Sequence, residues 1–355
     1  MTVFPADEGW RMPAEWEAHE ATWIAWPHQR DDWPGKFETI PWVYTEIVRH
    51  LHRSDYVHLL VNDATMADDA RRHLSQTGID LDRVRFFPFV TDRVWTRDYG
   101  PIFLKNANDG LALTDWHFNG WAKYPNWHSD DAVPMQVAQA LGVRGWQPEL
   151  GSRRVVLEGG SIDVNGSGLL LTTEECLLSD VQARNPGLTR ADLEQVFAHY
   201  LGALKVLWLK RGIAGDDTHG HIDDLARFVT RATVVTVVES DPGDANFEPL
   251  QENLQLLRGM TDLEGESLEI VELPMPAPVF FQGQRLPASY ANFYIANDRV
   301  LVPTFNDAND RHALHILAEL FPGRHVAGIH AVDLVWGLGT LHCLTQQQPS
   351  RLHWV

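Results

Sequence analysis

The run Trp336-Gly337-Leu338-Gly339-Thr340-Leu341-His342-Cys343-Leu344-Thr345-Gln346-Gln347-Gln348-Pro349 holds one of the two cysteines of this 355-residue chain, and the residues that keep step with it decide the fold. Glycines 337 and 339 allow positive φ or close backbone approach just upstream of the sulfur. The apolar stretch Leu341 to Leu344 reads as a strand presenting Cys343, with the Gln triplet and Pro349 as a polar exit. A solitary cysteine in a strand is ordinarily an inert core residue, so spacing has to argue for more. Three other stretches set a polar group beside glycine at an expected strand edge. They are Arg97-Asp98-Tyr99-Gly100, Leu157-Glu158-Gly159-Gly160 and Asp217-Thr218-His219-Gly220-His221-Ile222-Asp223-Asp224. Asp98 precedes Glu158 by 60 residues, Glu158 precedes His221 by 63, and His221 precedes Cys343 by 122, or twice 61. Groups one period apart occupy equivalent places in successive repeated units, and in a closed ring of units they converge on the axis.

The rest of the chain fits such units. An extended segment over 16–26 stops at Pro27; a helix over 37–51 and a strand over 56–61 follow, then a helix over 64–76 and a strand over 84–90. Apolar β-type runs come at 102–104, 111–118, 155–157, 168–171, 204–209, 226–230, 233–238, 268–273, 292–296, 299–303 and 326–330. Helical patterns begin near Asp130, Thr189, Ala245 and Asn309, with Thr189 as an N-cap three residues before Asp192. These starts are again about 60 residues apart, which points to repeated β-rich α/β units in one domain, 1–355, without a linker.

Composition narrows the function. A chain that is 44% hydrophobic and 22% charged reads as globular, and no apolar run approaches the roughly 18 residues of a membrane span. The N-terminal residues lack the basic and apolar regions of a secretory signal, so a cytoplasmic location is expected. Two cysteines make no disulfide scaffold, and no CxxC or Cys/His cluster suggests structural zinc. A net charge of −19 without a basic cluster argues against nucleic acid and suits the recruitment of small cations. Several of the fourteen tryptophans, Trp95 among them, crowd the first third and could wall a site or serve as core.

Cysteine, histidine and several carboxylates together favour nucleophilic catalysis. A Cys-His pair alone suits acyl transfer, but three carboxylates around one thiol match a planar cation with many N–H donors better. Paired carboxylates grip a guanidinium bidentately, which points to attack on a guanidino carbon. His221 and Asp223, two apart on an expected strand, face the same way. Metal-assisted hydrolysis by His and Asp ligands is an alternative that leaves the cysteine idle.

These motifs resemble the agmatine deiminase family, also called the bacterial-type peptidylarginine deiminase family, of the guanidino-group-modifying superfamily. The resemblance spans nearly the whole chain. It runs through Met12-Pro13-Ala14-Glu15-Trp16-Glu17, Thr22-Trp23-Ile24-Ala25-Trp26-Pro27 and Trp95-Thr96-Arg97-Asp98-Tyr99-Gly100-Pro101, then Glu158-Gly159-Gly160, the 217–223 stretch and His342-Cys343 to Pro349. It implies a five-bladed pseudo-symmetric α/β propeller of ββαβ units, and hydrolysis of a guanidine to a ureido group and ammonia without metal or organic cofactor. By motif, Cys343 is the implied nucleophile and His221 the general acid and base. Glu158 orients His221 and meets the substrate, and Asp98 and Asp223 grip the guanidinium. His219 stands where family members carry Asp or Asn, and Leu338 and Thr340 stand in a turn that is glycine-richer in the family; all three bear on the substrate's tail. Agmatine, converted to N-carbamoylputrescine in polyamine metabolism, is the expected substrate, with Trp95 and His219 beside it. Free arginine and peptidylarginine are the alternatives within this chemistry, and an amidinotransferase or a non-catalytic propeller binding a cationic ligand lies further off. A symmetric homodimer is the default assembly.

Overall fold

The computed structural model describes residues 3–108 and 110–351; the two N-terminal residues, Asp109 and the last four of the expected 1–355 domain lie outside it. The fold is mixed α/β, and one pairing pattern occurs five times. In each case a short strand pairs antiparallel with a middle strand, and the middle strand crosses through a helix to a parallel third strand. The middle strands are His19–Ala25, Leu111–Thr114, Leu169–Thr173, Thr233–Val238 and Arg299–Thr304. Their crossover helices are Ile40–Leu51, Val133–Leu141, Arg190–Leu201, Phe247–Arg258 and Asp310–Leu320. The antiparallel partners, in the same order, are Gln346–Pro349, Ile102–Lys105, Asp163–Val164, Ala226–Phe228 and Tyr294–Ile295. Parallel partners are Tyr56–Leu60, Arg144–Trp146, Lys205–Leu209, Glu269–Pro274 and His325–His330. The first unit borrows its short strand from the far end of the chain and adds the helix Ala64–Ser75 and the strand Val84–Phe87, which explains why it is longer than the period.

Local signals act where expected. Thr189 and Asp192 form a reciprocal capping box, and Gly202 closes the helix Arg190–Leu201 in the left-handed region at φ 71°. Asp63 caps the helix Ala64–Ser75 through the Met66 N–H. The four later crossover helices begin within a few residues of the expected starts. The middle strands are apolar and buried almost throughout, as strands covered on both faces must be. Most of the apolar core is continuous, with a second cluster around Met12, Trp116, Phe197 and Trp208.

Several expected strands are shorter or absent. The strand over 84–90 ends at Phe87 because Pro88 cannot donate to the ladder. The run 155–157 is buried but makes only one bridge, His117 with Val156. Residues 341–344 are a turn, so Cys343 precedes a strand instead of lying on one. The Gln triplet forms that strand, buried, and each amide is bonded: Gln346 Nε2 donates to Pro101 O, Gln347 Oε1 accepts from Arg97 and Gln348 Oε1 accepts from Trp23 Nε1. Among the described residues no helix is long and apolar enough to cross a membrane.

Candidate active site

Each unit contributes to one buried cluster from the same place, the loop just before its short strand. Asp98 lies in the helical turn Thr96–Tyr99 ahead of Ile102–Lys105. Glu158 caps the 3-10 turn Gly159–Ser161 ahead of Asp163–Val164, and His221 caps the turn Ile222–Asp224 ahead of Ala226–Phe228. Cys343 comes ahead of Gln346–Pro349. The fifth position, ahead of Tyr294–Ile295, belongs to Asn292. The doubled spacing from His221 to Cys343 therefore spans an occupied unit that sequence reading left empty.

His221 is the hub. Its Nδ1 lies 3.7 Å from Asp98 Oδ1 and 3.9 Å from Asp223 Oδ1, and its Nε2 lies 3.8 Å from Glu158 Oε2. Among the described residues neither ring nitrogen has a hydrogen-bond partner, nor do Glu158 Oε2 and Asp223 Oδ1. Buried, unpaired polar atoms on this scale are costly unless something with matching donors and acceptors joins them. His221 and Asp223 do converge, but from a 3-10 turn and not from alternate positions of a strand. Cys343 Sγ is 3.7 Å from Asp223 Oδ2 and accepts from Asn292 Nδ2 at 3.1 Å. Asn292 Oδ1 in turn accepts from Thr340 Oγ1 at 2.7 Å and from the His342 N–H at 3.1 Å, which fixes the turn that carries the sulfur.

A shell of ion pairs holds the carboxylates. Arg184 Nε donates to Glu158 Oε1 at 2.9 Å, and Trp121 Nε1 and the Gly160 N–H donate to the two oxygens of Asp98. His342 bridges Asp223 Oδ2 at 2.7 Å and Glu15 Oε2 at 2.8 Å. Glu15 also accepts from Arg227 at 2.8 Å and from the Ile295 N–H at 2.7 Å. Arg97 is spent on this scaffold, on Gln347, Glu15 and the His342 carbonyl, and not on its neighbour Asp98. Glu15, Asn292, Arg184, Arg227 and His342 were not given roles from sequence. A buried arginine or glutamate looks there like any surface charge, and Asn292 has neither a glycine neighbour nor a charge to mark it.

The electrostatics follow from this packing. Burial pushes Asp98 up, and Asp223 and Glu158 add to it against the pull of His221, leaving its carboxyl at about 7. Burial would also raise Glu158, but Arg184 and then His221 outweigh it and hold that carboxyl down at about 2. Burial opposes charge on His221, yet Asp98, Cys176 and Glu158 together keep the imidazole protonated well above its ordinary value. Burial, then Asp223, Asp224 and Asp98, push the Cys343 thiol well up. The resting site thus combines a neutral thiol, an imidazolium and two firm carboxylates.

A cavity of about 320 Å³ ends on this cluster, with Asp98 and Cys343 in its wall. Its other surfaces include Trp95, Trp121, Tyr124, Trp336, Asp31, Asp32 and Asp217, and Arg93 is its one basic lining residue. Trp95 packs against Gly339, where a Cβ would come within 2.8 Å of the indole and 3.1 Å of Cys343 Cβ. His219 does not line the cavity. Its backbone is left-handed, at φ 66°, and its Nε2 lies 3.2 Å from Ser179 Oγ.

The family model for Porphyromonas-type peptidyl-arginine deiminases matches residues 11–349. The chain belongs to that family. A relative from Legionella pneumophila (strain Paris), provisionally named an agmatine deiminase, is 34% identical over 353 residues, covering 99% of this chain and 98% of its own. The solved agmatine deiminase of Enterococcus faecalis is 32% identical with a TM-score of 0.89, covering 99% of each chain. A C. jejuni agmatine deiminase, solved as a cysteine-to-serine variant with substrate bound, is 28% identical with a TM-score of 0.84, covering 96% of each chain.

Within this member of the family Gly160 lies directly against the reacting groups. A Cβ there would lie 2.7 Å from both Asp98 Oδ1 and His221 Nδ1, and 3.1 Å from Asp223 Oδ2. Gly160→Ala should force those groups apart and lower kcat/KM by about 10²-fold or more, the usual cost of misplacing reacting groups by an ångström. Steady-state kinetics on folded variant, checked by circular dichroism, decides it; activity within twofold of wild type would show that the cluster yields without penalty.

Proposed function

We propose that this chain is an agmatine deiminase, hydrolysing agmatine to N-carbamoylputrescine and ammonia through a covalent amidino intermediate on Cys343. The observation that carries the reading is the meeting of a thiol, an imidazolium and the carboxylates of Asp98, Glu158 and Asp223 at the end of one cavity. Asp98 and Asp223 grip the guanidinium, whose N–H donors supply the partners that the buried oxygens lack. Cys343 Sγ bonds to the guanidino carbon, a C–N bond breaks, and ammonia leaves with a proton from His221. A water then gives a proton to His221 and its oxygen to the same carbon, and the C–S bond breaks to return the thiolate and the ureido product. Glu158, ionised beside Arg184, holds the ring for both steps. The five units are read as blades of one propeller spanning the chain. In support, the last strand, Gln346–Pro349, pairs with the first, His19–Ala25, and each unit delivers its residue from the same loop.

The cavity's composition supports agmatine over arginine. Four aspartates, 31, 32, 98 and 217, face a single Arg93. Arg93 is engaged through its two terminal nitrogens, by Asp32 at 2.6 Å and Asn126 at 3.3 Å, and stacks on Tyr124, so an α-carboxylate would have to displace these partners. The substrate's distal ammonium suits these acids and the tryptophan faces. The test compares kcat/KM for agmatine, free arginine and a blocked arginine peptide on one preparation, following ureido product and ammonia. Agmatine should lead by about 10²-fold or more, the cost of forcing a carboxylate into a negative, partly dry cavity. Equal turnover of either arginine substrate would move the assignment within the family and keep its chemistry.

A further inference from the structure

The second cysteine is not a bystander in space. Cys176 sits in the short helix Glu174–Leu178, fully buried. Thr173 Oγ1 accepts from the Cys176 N–H at 3.1 Å and donates to the Gly220 carbonyl at 2.6 Å, stitching this turn to the residue before His221. One ligand atom each from Glu158, Cys176 and His221 fall within 4.8 Å of one another. Arg184 occupies Oε1 of Glu158, which leaves Oε2 without a partner 3.8 Å from His221 Nε2, itself without a partner. Sulfur, imidazole nitrogen and carboxylate oxygen are the donors zinc prefers, and magnesium and calcium do not. On a tetrahedral zinc with bonds of about 2.0–2.3 Å, ligand atoms stand roughly 3.3–3.8 Å apart, so the three groups need to close by up to about 1.5 Å.

We propose that Glu158, Cys176 and His221 form a binding site for a thiophilic divalent cation of the zinc class, and that its occupancy switches the enzyme off. Binding replaces the protons of the Cys176 thiol and the His221 ring, which pass to solvent, and makes S–metal and N–metal bonds beside the Glu158 carboxylate. A ring metallated at Nε2 keeps only its Nδ1 proton, and giving that up would leave an imidazolate, so it is a poor acid for departing ammonia. Binding stands on the geometry alone, whereas inhibition rests on the deiminase reading.

Cobalt(II) distinguishes the two. The chain has only two cysteines, so in Cys343→Ser a thiolate-to-cobalt charge-transfer band can come only from Cys176. That band is expected in wild type and in Cys343→Ser, and it should be missing from Cys176→Ser. With agmatine as substrate, zinc should inhibit wild type, and Cys176→Ser, measured against its own zinc-free rate, should need at least the roughly 10–100-fold more zinc that weaker changes around a metal site already cost. A band lost in Cys343→Ser would place the metal on the nucleophile and overturn the proposal, as would unchanged zinc sensitivity in Cys176→Ser. Should Cys176→Ser fail to fold, the Cys343→Ser spectrum decides by itself. A Cys176 band from a protein with no deiminase activity would keep the site and reject the reading of the reaction.

Discussion

Cys343→Ser should lose activity by several orders of magnitude, as removal of a nucleophile does, while retaining its fold. Serine keeps the Asn292 hydrogen bond and adds no volume at a position only 5% exposed. The physical question is how a thiol surrounded by acids ever ionises. Burial and three aspartates hold it neutral at rest, and His221 makes no hydrogen bond through either ring nitrogen that could take its proton. The substrate reverses that sign. A guanidinium about 4 Å from the sulfur, at an effective dielectric near 20, stabilises a thiolate by about 4 kcal/mol, or roughly three pKa units. In the proposed mechanism the nucleophile is therefore generated by the cation it attacks, which also keeps the resting thiol from reacting with neutral electrophiles. Two measurements check this. Inactivation of the resting enzyme by iodoacetamide should still be accelerating with pH above the roughly 8.5 of an ordinary thiol. Acid-quenched turnover mixtures should carry the amidino adduct on the peptide containing Cys343. No adduct, together with an active Ser variant, would remove Cys343 from the mechanism.

How much of this could be read from the chain depends on what marks a residue locally. Asp98, Glu158 and His221 were legible because each needs glycine beside it for clearance, as the contacts a Cβ would make at Gly160 show, and because equivalent loops repeat at a fixed interval. The helix starts were legible for the same reason, with Thr189 and Asp192 supplying a cap. Asn292 sits in Ser289-Tyr290-Ala291-Asn292-Phe293, where its contacts with Thr340, His342 and Cys343 come from about fifty residues away. Only the doubled interval between His221 and Cys343 could have pointed to it. The region around Cys343 was misassigned because a four-residue apolar run fits a turn and a strand equally well. Three glutamines read as a polar exit because no local signal tells that Pro101, Arg97 and Trp23 will each bond one of them inside. His219 lay beside the right motif, but its left-handed backbone turns the ring to Ser179.

His221→Ala should slow both formation and breakdown of the intermediate, by about 10²–10⁴-fold each, the range of a positioned general acid and base. In the proposed reaction the ring begins as an acid, because ammonia leaves first; Asp98, Cys176 and Glu158 overcome burial and keep it protonated well above its ordinary value. Once its proton has gone with ammonia, the same ring is the nearest base for water, with Glu158 held ionised by Arg184 to receive the recharged imidazolium. The pH profile follows with opposite signs on its two sides. On the acid side kcat/KM should fall as pH drops through about 7, where Asp98 gains a proton and loses its grip on the guanidinium. On the alkaline side it should fall where free His221 loses the proton it must donate, well above the usual histidine range. His221→Ala should remove the alkaline limb and leave the acid one, whereas a variant that merely disturbed packing would lower both limbs in parallel. Single-turnover experiments separate the two chemical steps, and a change confined to KM would reduce His221 to a binding group and end its acid–base role.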